Sequence, residues 1–210
     1  KLPVLNIGLG RIGQSMARKC NLAFGMQVQY HDLRHIVQSA VPTARKVSME
    51  ELLRTSDVVT VHVDLNEETH HMLSKEQFDM MKRGVYVINA ARGPIVDEEA
   101  LTNALENGKV AGAGLDVYED EPQGPLHRLA QVPNVMLQPH TGAATTRARQ
   151  QNMEQCFRNV LEVLAHGRAP LTPVNEPESP KIGVKLPIAF PPAKNISLGV
   201  FTVAATKPKL

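Results

Sequence analysis

Along the first 165 residues, short apolar runs alternate with stretches in which apolar positions recur every three or four residues. The runs, rich in Val and Ile, predict strands over 3–7, 27–31, 58–63, 85–89, 111–117 and 134–138. The periodic stretches predict helices over 11–24, 48–55, 74–80, 97–107 and 145–165. Strands alternating with helices imply parallel β-α-β units. Runs apolar at every position, rather than every second one, imply burial on both faces of the sheet. The expected fold is α/β, a doubly wound parallel sheet.

Helix punctuation agrees with these boundaries. Ser48 with Glu51, and Ser74 with Gln77, have the spacing of a capping box. Gly25, Gly108 and Gly167 follow their helices as stop signals should. After Gly167 the pattern ends: residues 168–210 hold eight of the fifteen prolines and show no helical period. The reading is therefore a domain over 1–167 followed by a Pro-rich tail over 168–210, in which the stretch VFTVAAT is a candidate edge strand.

Composition narrows the function classes. Lys and Arg number 23 against 21 Asp and Glu, a net charge of +2 with no long run of one sign, so neither nucleic acid nor a charged membrane surface is expected. No apolar stretch reaches the ~18–20 residues of a membrane span, and the first residues lack the regions of a signal peptide. A soluble, cytoplasmic protein is expected. The two cysteines, Cys20 and Cys156, fall in helical stretches without metal-ligand spacing and are expected to be buried free thiols. Met72, Met80 and Met81 read as core filling.

The first candidate chemistry is G-x-G-x-x-G at Gly8, Gly10 and Gly13. A strand runs directly into Gly8 and a helix leaves from Arg11, the arrangement in which helix N-terminal N–H groups meet a pyrophosphate. Gly8 would permit the tight turn, Gly10 the approach of phosphate, and Gly13 the packing of helix on strand. Asp32 lies nineteen residues after Gly13, at the end of the second predicted strand, where a carboxylate accepts from ribose hydroxyls and disfavours a 2′-phosphate. The expected cofactor is NAD, in a Rossmann-like fold.

The carboxyl ends of later strands offer reactive groups, where open parallel sheets hold their ligands. Arg92 follows VYVINAA, Glu121 follows AGLDVYED, and His140 follows NVMLQP. A guanidinium fork can grip a carboxylate and polarise the carbonyl beside it. An imidazole oriented by a glutamate can pass a proton to or from a hydroxyl. With a hydride carrier, the set describes interconversion of a 2-oxo acid and a 2-hydroxy acid.

Taken together and in order, GLGRIGQ, SDVVTVHVDLNEETHHMLS, VINAARGPIVDEEAL, VAGAGLDVYEDEP and PNVMLQPHTGAAT resemble the cofactor domain of the D-isomer-specific 2-hydroxyacid dehydrogenases, over residues 3–167. The resemblance implies an NAD-dependent enzyme in which Arg92 binds the substrate carboxylate and carbonyl oxygen, His140 is the acid-base residue, and Glu121 is its partner. It further implies that Asp116 meets the nicotinamide carboxamide and that the backbone of Arg11 and Ile12 cradles pyrophosphate. His62, Val63, Ala90, Ala91, Gly142 and Ala143 resemble further cofactor-lining positions. His31, His35, His70, His71, His127 and His166 match no catalytic position and read as surface or packing residues. Asp64 stands where many members have proline.

Members of this family are usually homodimers with a second, N-terminal substrate domain, which this chain is expected to lack because it begins at the cofactor strand. An alternative branch sharing the fold is that of NAD(H)-sensing corepressors of the C-terminal-binding-protein type, which LNEETHHMLS and PQGPL resemble, whereas TGAAT is closer to the metabolic enzymes. Formate dehydrogenases pair their histidine with glutamine, and Glu121 argues against that branch.

Overall fold

A computed structural model describes residues 3–33, 41–121 and 128–172. Arg34, His35, His127 and the candidate strand VFTVAAT lie outside them. The chain divides into two compact units, Lys1–Thr145 and Thr146–Leu210.

The first unit is built on seven parallel strands: β1 (Pro3–Ile7), β2 (Gln27–His31), β3 (Arg45–Lys46), β4 (Val58–Val61), β5 (Val85–Asn89), β6 (Val110–Leu115) and β7 (Val135–Leu137). Their order across the sheet is β3-β2-β1-β4-β5-β6-β7. The chain thus winds one way from β1 to β3, crosses back beside β1 and winds the other way. The carboxyl ends of β1 and β4 therefore flank the switch point at which such sheets bind ligands.

Helices α1 (Arg11–Phe24), α2 (Met49–Thr55), α3 (Lys75–Met80) and α4 (Glu98–Glu106) connect the strands. Ser48 Oγ accepts from Glu51 N at 3.1 Å and Asp97 Oδ1 from Ala100 N at 2.8 Å, which sets the starts of α2 and α4. Gly25 ends α1 at φ +61°, in the left-handed region that glycine enters without a Cβ penalty.

Two apolar clusters lie on the two faces. The larger joins Leu52, Leu53, Phe78 and Leu101 of α2–α4 to Val59, Val61, Val85 and Val87 of β4 and β5. Met81 is buried in it, with Met72 and Met80 packed against it, as expected. The smaller packs Ala17 and Cys20 of α1 on Val4, Val28 and Tyr30.

The structure departs from burial on both faces over β4–β7. Strand β5 alternates, with Val85 and Val87 buried but Tyr86 53% and Ile88 39% exposed, and Met136 of β7 is 67% exposed. Beside α1, which packs on β1 and β2, the described residues of this face form an apolar groove of about 980 Å³ running from Met16 and Cys20 past Val58 to Ile88 and Met136.

The second unit contains α5 (Thr146–Leu164). Its i,i+4 pair Glu154–Arg158, at 2.6 Å, and a contact of Arg168 with Glu162, at 3.0 Å, support the helix and its end. Cys156 on α5 is exposed rather than buried, because the apolar side of this helix, including Met153 and Phe157, is itself exposed. Both cysteines are free.

Candidate functional site

Five residues of β1 carry the chain to Gly8, whose φ of +88° turns it sharply. Gly8 N donates to His31 O at 2.8 Å and His62 N to Ile7 O at 2.7 Å, so the turn is locked between β2 and β4. A Cβ on Gly8 would lie 2.6 Å from His62 O, and one on Gly13 would lie 2.3 Å from Gly8 O. Both glycines are therefore required by close backbone approach, as their spacing suggested. Gly10 caps α1 without a side chain, and the first turn holds no acidic residue. Neither the cap nor the first turn thus supplies an acidic side chain to offset the positive end of the helix dipole.

Two polar side chains steady this loop. Buried Asp32, 7% exposed, accepts from Leu9 N through Oδ2 at 2.7 Å. Its position at the end of β2 is the expected one, and it has the additional task of tying the glycine loop to that strand. Asn6, fully buried, donates to Gly13 O at 2.8 Å. Sequence reasoning passed over Asn6, although a lone polar residue inside an apolar strand is a signal of such a tie.

Beside Asp32, a cavity of about 280 Å³ is lined by His31, Asp32, Val63, Asp64 and Thr69 among others. Its floor past β4 is a compact turn at Asp64: Asn66 Oδ1 accepts from the N–H groups of Glu68 (2.9 Å) and Thr69 (3.0 Å), and Thr69 Oγ1 donates to Asp64 O at 2.7 Å. His62 leads into it with Nε2 3.1 Å from Thr60 Oγ1, and burial depresses its pKa to about 4, keeping the ring neutral.

At the end of β5, Asn89 folds the chain back on itself. Its Oδ1 accepts from Ala91 N at 3.0 Å and its Nδ2 donates to Arg92 O at 2.9 Å. This places Ala90, Ala91 and Arg92 at the sheet edge, and Arg92 is exposed there, with Nη1 donating to Ala91 O at 2.6 Å. Gly93 is then pressed onto the loop after β6, since a Cβ on it would lie 1.8 Å from Tyr118 O.

The last two strands supply the other groups. Asp116 N donates to Asn89 O at 3.0 Å, which links the ends of β5 and β6. The Asp116 carboxylate accepts from Thr141 N at 2.7 Å and Gly142 N at 2.8 Å, so it holds the loop after β7. That loop contains His140, whose φ of +51° is a left-handed conformation uncommon outside glycine. His140 Nδ1 lies 2.5 Å from Glu121 Oε2, and Glu121 Oε1 accepts from Tyr118 N at 2.8 Å. The Tyr118 hydroxyl donates to Gln138 O at 2.7 Å, a second strut between the two loops, and burial pushes its pKa up.

The expected residues thus occupy one edge of one sheet. Gly8, Gly10, Arg11, Ile12 and Gly13 follow β1, Asp32 follows β2, and His62 and Val63 follow β4. Ala90–Arg92 follow β5, Asp116 and Glu121 follow β6, and His140, Gly142 and Ala143 follow β7. Glu121 and His140 touch; Arg92 sits on the neighbouring turn. Among the described residues no group of His, Cys, Asp and Glu is arranged to hold a metal ion.

A glycine turn at a topological switch point, an uncapped helix start and an acidic residue on the second strand define a dinucleotide-binding α/β domain. Residues 3–142 match the model of the family described as "D-isomer specific 2-hydroxyacid dehydrogenase, NAD binding domain", and the chain belongs to that family. It is 42% identical over 172 residues to a glyoxylate reductase of Thermofilum pendens, covering 81% of this chain and 50% of that protein. It is 42% identical over 160 residues to glyoxylate/hydroxypyruvate reductase B of Klebsiella pneumoniae, covering 75% and 49%. Among solved structures, holo D-mandelate dehydrogenase of Rhodotorula graminis superposes with a TM-score of 0.79 at 34% identity, covering 83% of this chain and 51% of that one. The D-lactate dehydrogenase of Aquifex aeolicus, complexed with NAD and lactic acid, gives a TM-score of 0.72 at 35% identity, covering 79% and 54%. The chain spans about half the length of these relatives.

Proposed function

We propose that this protein is an NAD-dependent oxidoreductase that interconverts a 2-hydroxy acid and a 2-oxo acid. The observation that carries the reading is the 2.5 Å contact of Glu121 with His140, on the same sheet edge as the glycine turn. The site fits NAD(H): the start of α1 offers backbone N–H groups to a pyrophosphate, the glycines leave room for it, and Asp32 with Val63 borders a cavity suited to the adenosine end. When bound, NAD(H) supplies or accepts the hydride.

The chain's own residues supply the rest. Because Nδ1 of His140 faces Glu121, Nε2 is the atom left to exchange a proton with the substrate oxygen. The Glu121 carboxylate orients the ring and stabilises the charge it acquires. The Arg92 guanidinium, exposed beside this pair, has further N–H groups for a substrate carboxylate and its neighbouring carbonyl oxygen. Asp116, Ala90, Ala91, Gly142 and Ala143 border the space for the nicotinamide.

The nucleotide-binding region is read as residues 1–167, with 168–210 a tail of unassigned role. The protein is read as a cytoplasmic homodimer acting on a small molecule without nucleic acid or membrane. The near-balanced charge supports the part of this reading that leaves out nucleic acid, and among the described residues no helix is long and apolar enough to cross a membrane. The corepressor reading draws no support from the relatives above, which are named as reductases and dehydrogenases.

The test is NADH binding by fluorescence titration, followed by NADH oxidation with glyoxylate, hydroxypyruvate and longer 2-oxo acids. His140→Ala should lower kcat by about 10²- to 10⁴-fold, the usual contribution of a general acid-base group, while NADH binding persists. Absence of NADH binding, or undiminished turnover in His140→Ala, would refute the proposal.

A further inference from the structure

The loop that carries Glu121 is gripped by residues to which the proposed reaction assigns no role. Glu98 is the first residue of α4, and its N–H is one of the orphan donors of a helix start. That N–H donates to Glu119 Oε1 at 2.9 Å, while Glu119 N donates to Glu98 Oε1 at 2.7 Å. The two glutamates thus clasp each other's backbone, joining α4 to the loop after β6. Glu119 Oε1 also lies 3.0 Å from Nε2 of His71.

His71 is itself held in an unusual state. Its φ is +48°, its N–H donates to Pro94 O at 2.8 Å, and its ring stacks on His70 with centroids 4.1 Å apart. A residue kept in the left-handed region without being glycine marks a place where surrounding contacts outweigh local strain. Here those contacts tie three segments together: the turn at His71, the turn containing Pro94 two residues beyond Arg92, and Glu119.

The location is crowded with negative charge. Burial raises the pKa of Glu98, and the carboxylates of Glu119, Asp120 and Glu121 raise it further, while the N–H of Glu119 opposes them. An exposed glutamate pair with nothing to hold would separate under such repulsion. The clasp persists because each carboxylate is occupied by a backbone donor of the other segment. Glu121 stands two positions after Glu119, and its Oε1 accepts from Tyr118 N, the residue just before Glu119, at 2.8 Å, so the clasped segment also anchors the Glu121 side chain.

We infer that Glu119, clasped by Glu98 and flanked by His71, is a positioning residue that fixes Glu121 against His140. The loop after β6 then supplies the glutamates of two histidine–glutamate pairs, one reactive with His140 and one bracing with His71. This rests on the reading of Glu121 and His140 as the acid-base pair, but its test does not require turnover.

Long-range ¹H–¹⁵N spectra of the histidine rings, recorded at alkaline pH on the full 210-residue chain, report which nitrogen bears the proton. In the parent, contact with Glu121 places the His140 proton on Nδ1; His140→Gln assigns the signal. Glu119→Ala and Glu98→Ala should each shift the proton toward Nε2, the site an unrestrained neutral imidazole favours. Glu119→Gln, which retains a side-chain oxygen for the Glu98 N–H, should restore Nδ1. Thermal melts identify any variant that has lost its fold, and the two alanine changes sit on different segments.

An unchanged His140 tautomer in both folded alanine variants overturns the brace alone, and so does loss of the Nδ1 proton in Glu119→Gln to the same extent as in Glu119→Ala. A parent His140 protonated on Nε2 removes the Glu121–His140 pair itself and overturns both readings. Failure of NADH binding with the tautomer pattern intact removes the proposed function and leaves the brace standing.

Discussion

Removal of the Asp116 carboxylate should release the His140 loop without unfolding the sheet. The carboxylate accepts two backbone N–H groups, at 2.7 and 2.8 Å. A hydrogen bond to a charged group contributes ~1.5–3 kcal/mol, and partial exposure lets water replace roughly half of it, so the pair contributes about 1.5–3 kcal/mol together. That is enough to offset the ~1–2 kcal/mol that a left-handed φ costs a non-glycine residue such as His140. In Asp116→Ala the loop should open roughly 10- to 100-fold more often, at 1.4 kcal/mol per factor of ten. The assay is native-state hydrogen exchange at Thr141 and Gly142, with the amides of β5 as an internal reference. Turnover alone is a poor readout, because Asp116 also borders the proposed nicotinamide position. Asp116→Asn, which keeps one carbonyl oxygen, should give an intermediate effect. Unchanged exchange at both amides in Asp116→Ala would refute the reasoning.

Gly8→Ala should destabilise the chain by roughly 2–4 kcal/mol, read as a lowered urea midpoint, because it combines strain at φ +88° with a Cβ 2.6 Å from His62 O. His62 predicts acid sensitivity. With its folded pKa near 4 against 6.5 in the unfolded chain, it has no effect above pH 6.5, and stability falls as pH drops from 6.5 toward 4 while the unfolded state alone takes up a proton. The loss reaches about 3 kcal/mol at 1.36 kcal/mol per unit, and His62→Gln should flatten that part of the pH profile in urea titrations; an unaltered slope would remove His62 as its source. NADH should bind at least about tenfold more tightly than NADPH, because Asp32 and Asp64 line the cavity proposed for the adenosine end. Asp32→Ala should narrow that ratio in fluorescence titrations while weakening both, since Leu9 N loses its acceptor.

What could be read from the sequence was whatever local physics dictates. The bounds of β1, α1, β2 and β5 match residue for residue, because glycines and β-branched runs mark their ends. Strand β3 escaped notice: Arg45 and Lys46 join the sheet only by backbone pairing with Gln29 and Tyr30, and two polar residues carry no periodic signal. The predicted end of β6 overran to Val117, since Leu115, Val117 and Tyr118 are apolar, whereas the strand stops at Leu115, level with the end of β7. Arg92, Glu121 and His140 were found through motifs, yet their meeting depends on strand order. The clasp of Glu98 with Glu119 and the pairing of His71 with Glu119 were invisible for the same reason, being contacts across 21 and 48 positions of chain. From the sequence, His71 accordingly reads only as a surface or packing residue.

The apolar groove along β4–β7 has a practical consequence for anyone handling the protein. Environment-sensitive dyes such as ANS brighten on apolar surface and are used to diagnose loosened, molten states. A groove of about 980 Å³ bordered by Tyr86, Ile88 and Met136 should brighten such a dye while every strand remains paired. Fluorescence of that kind from this chain should therefore disappear, not grow, as denaturant takes the sheet apart.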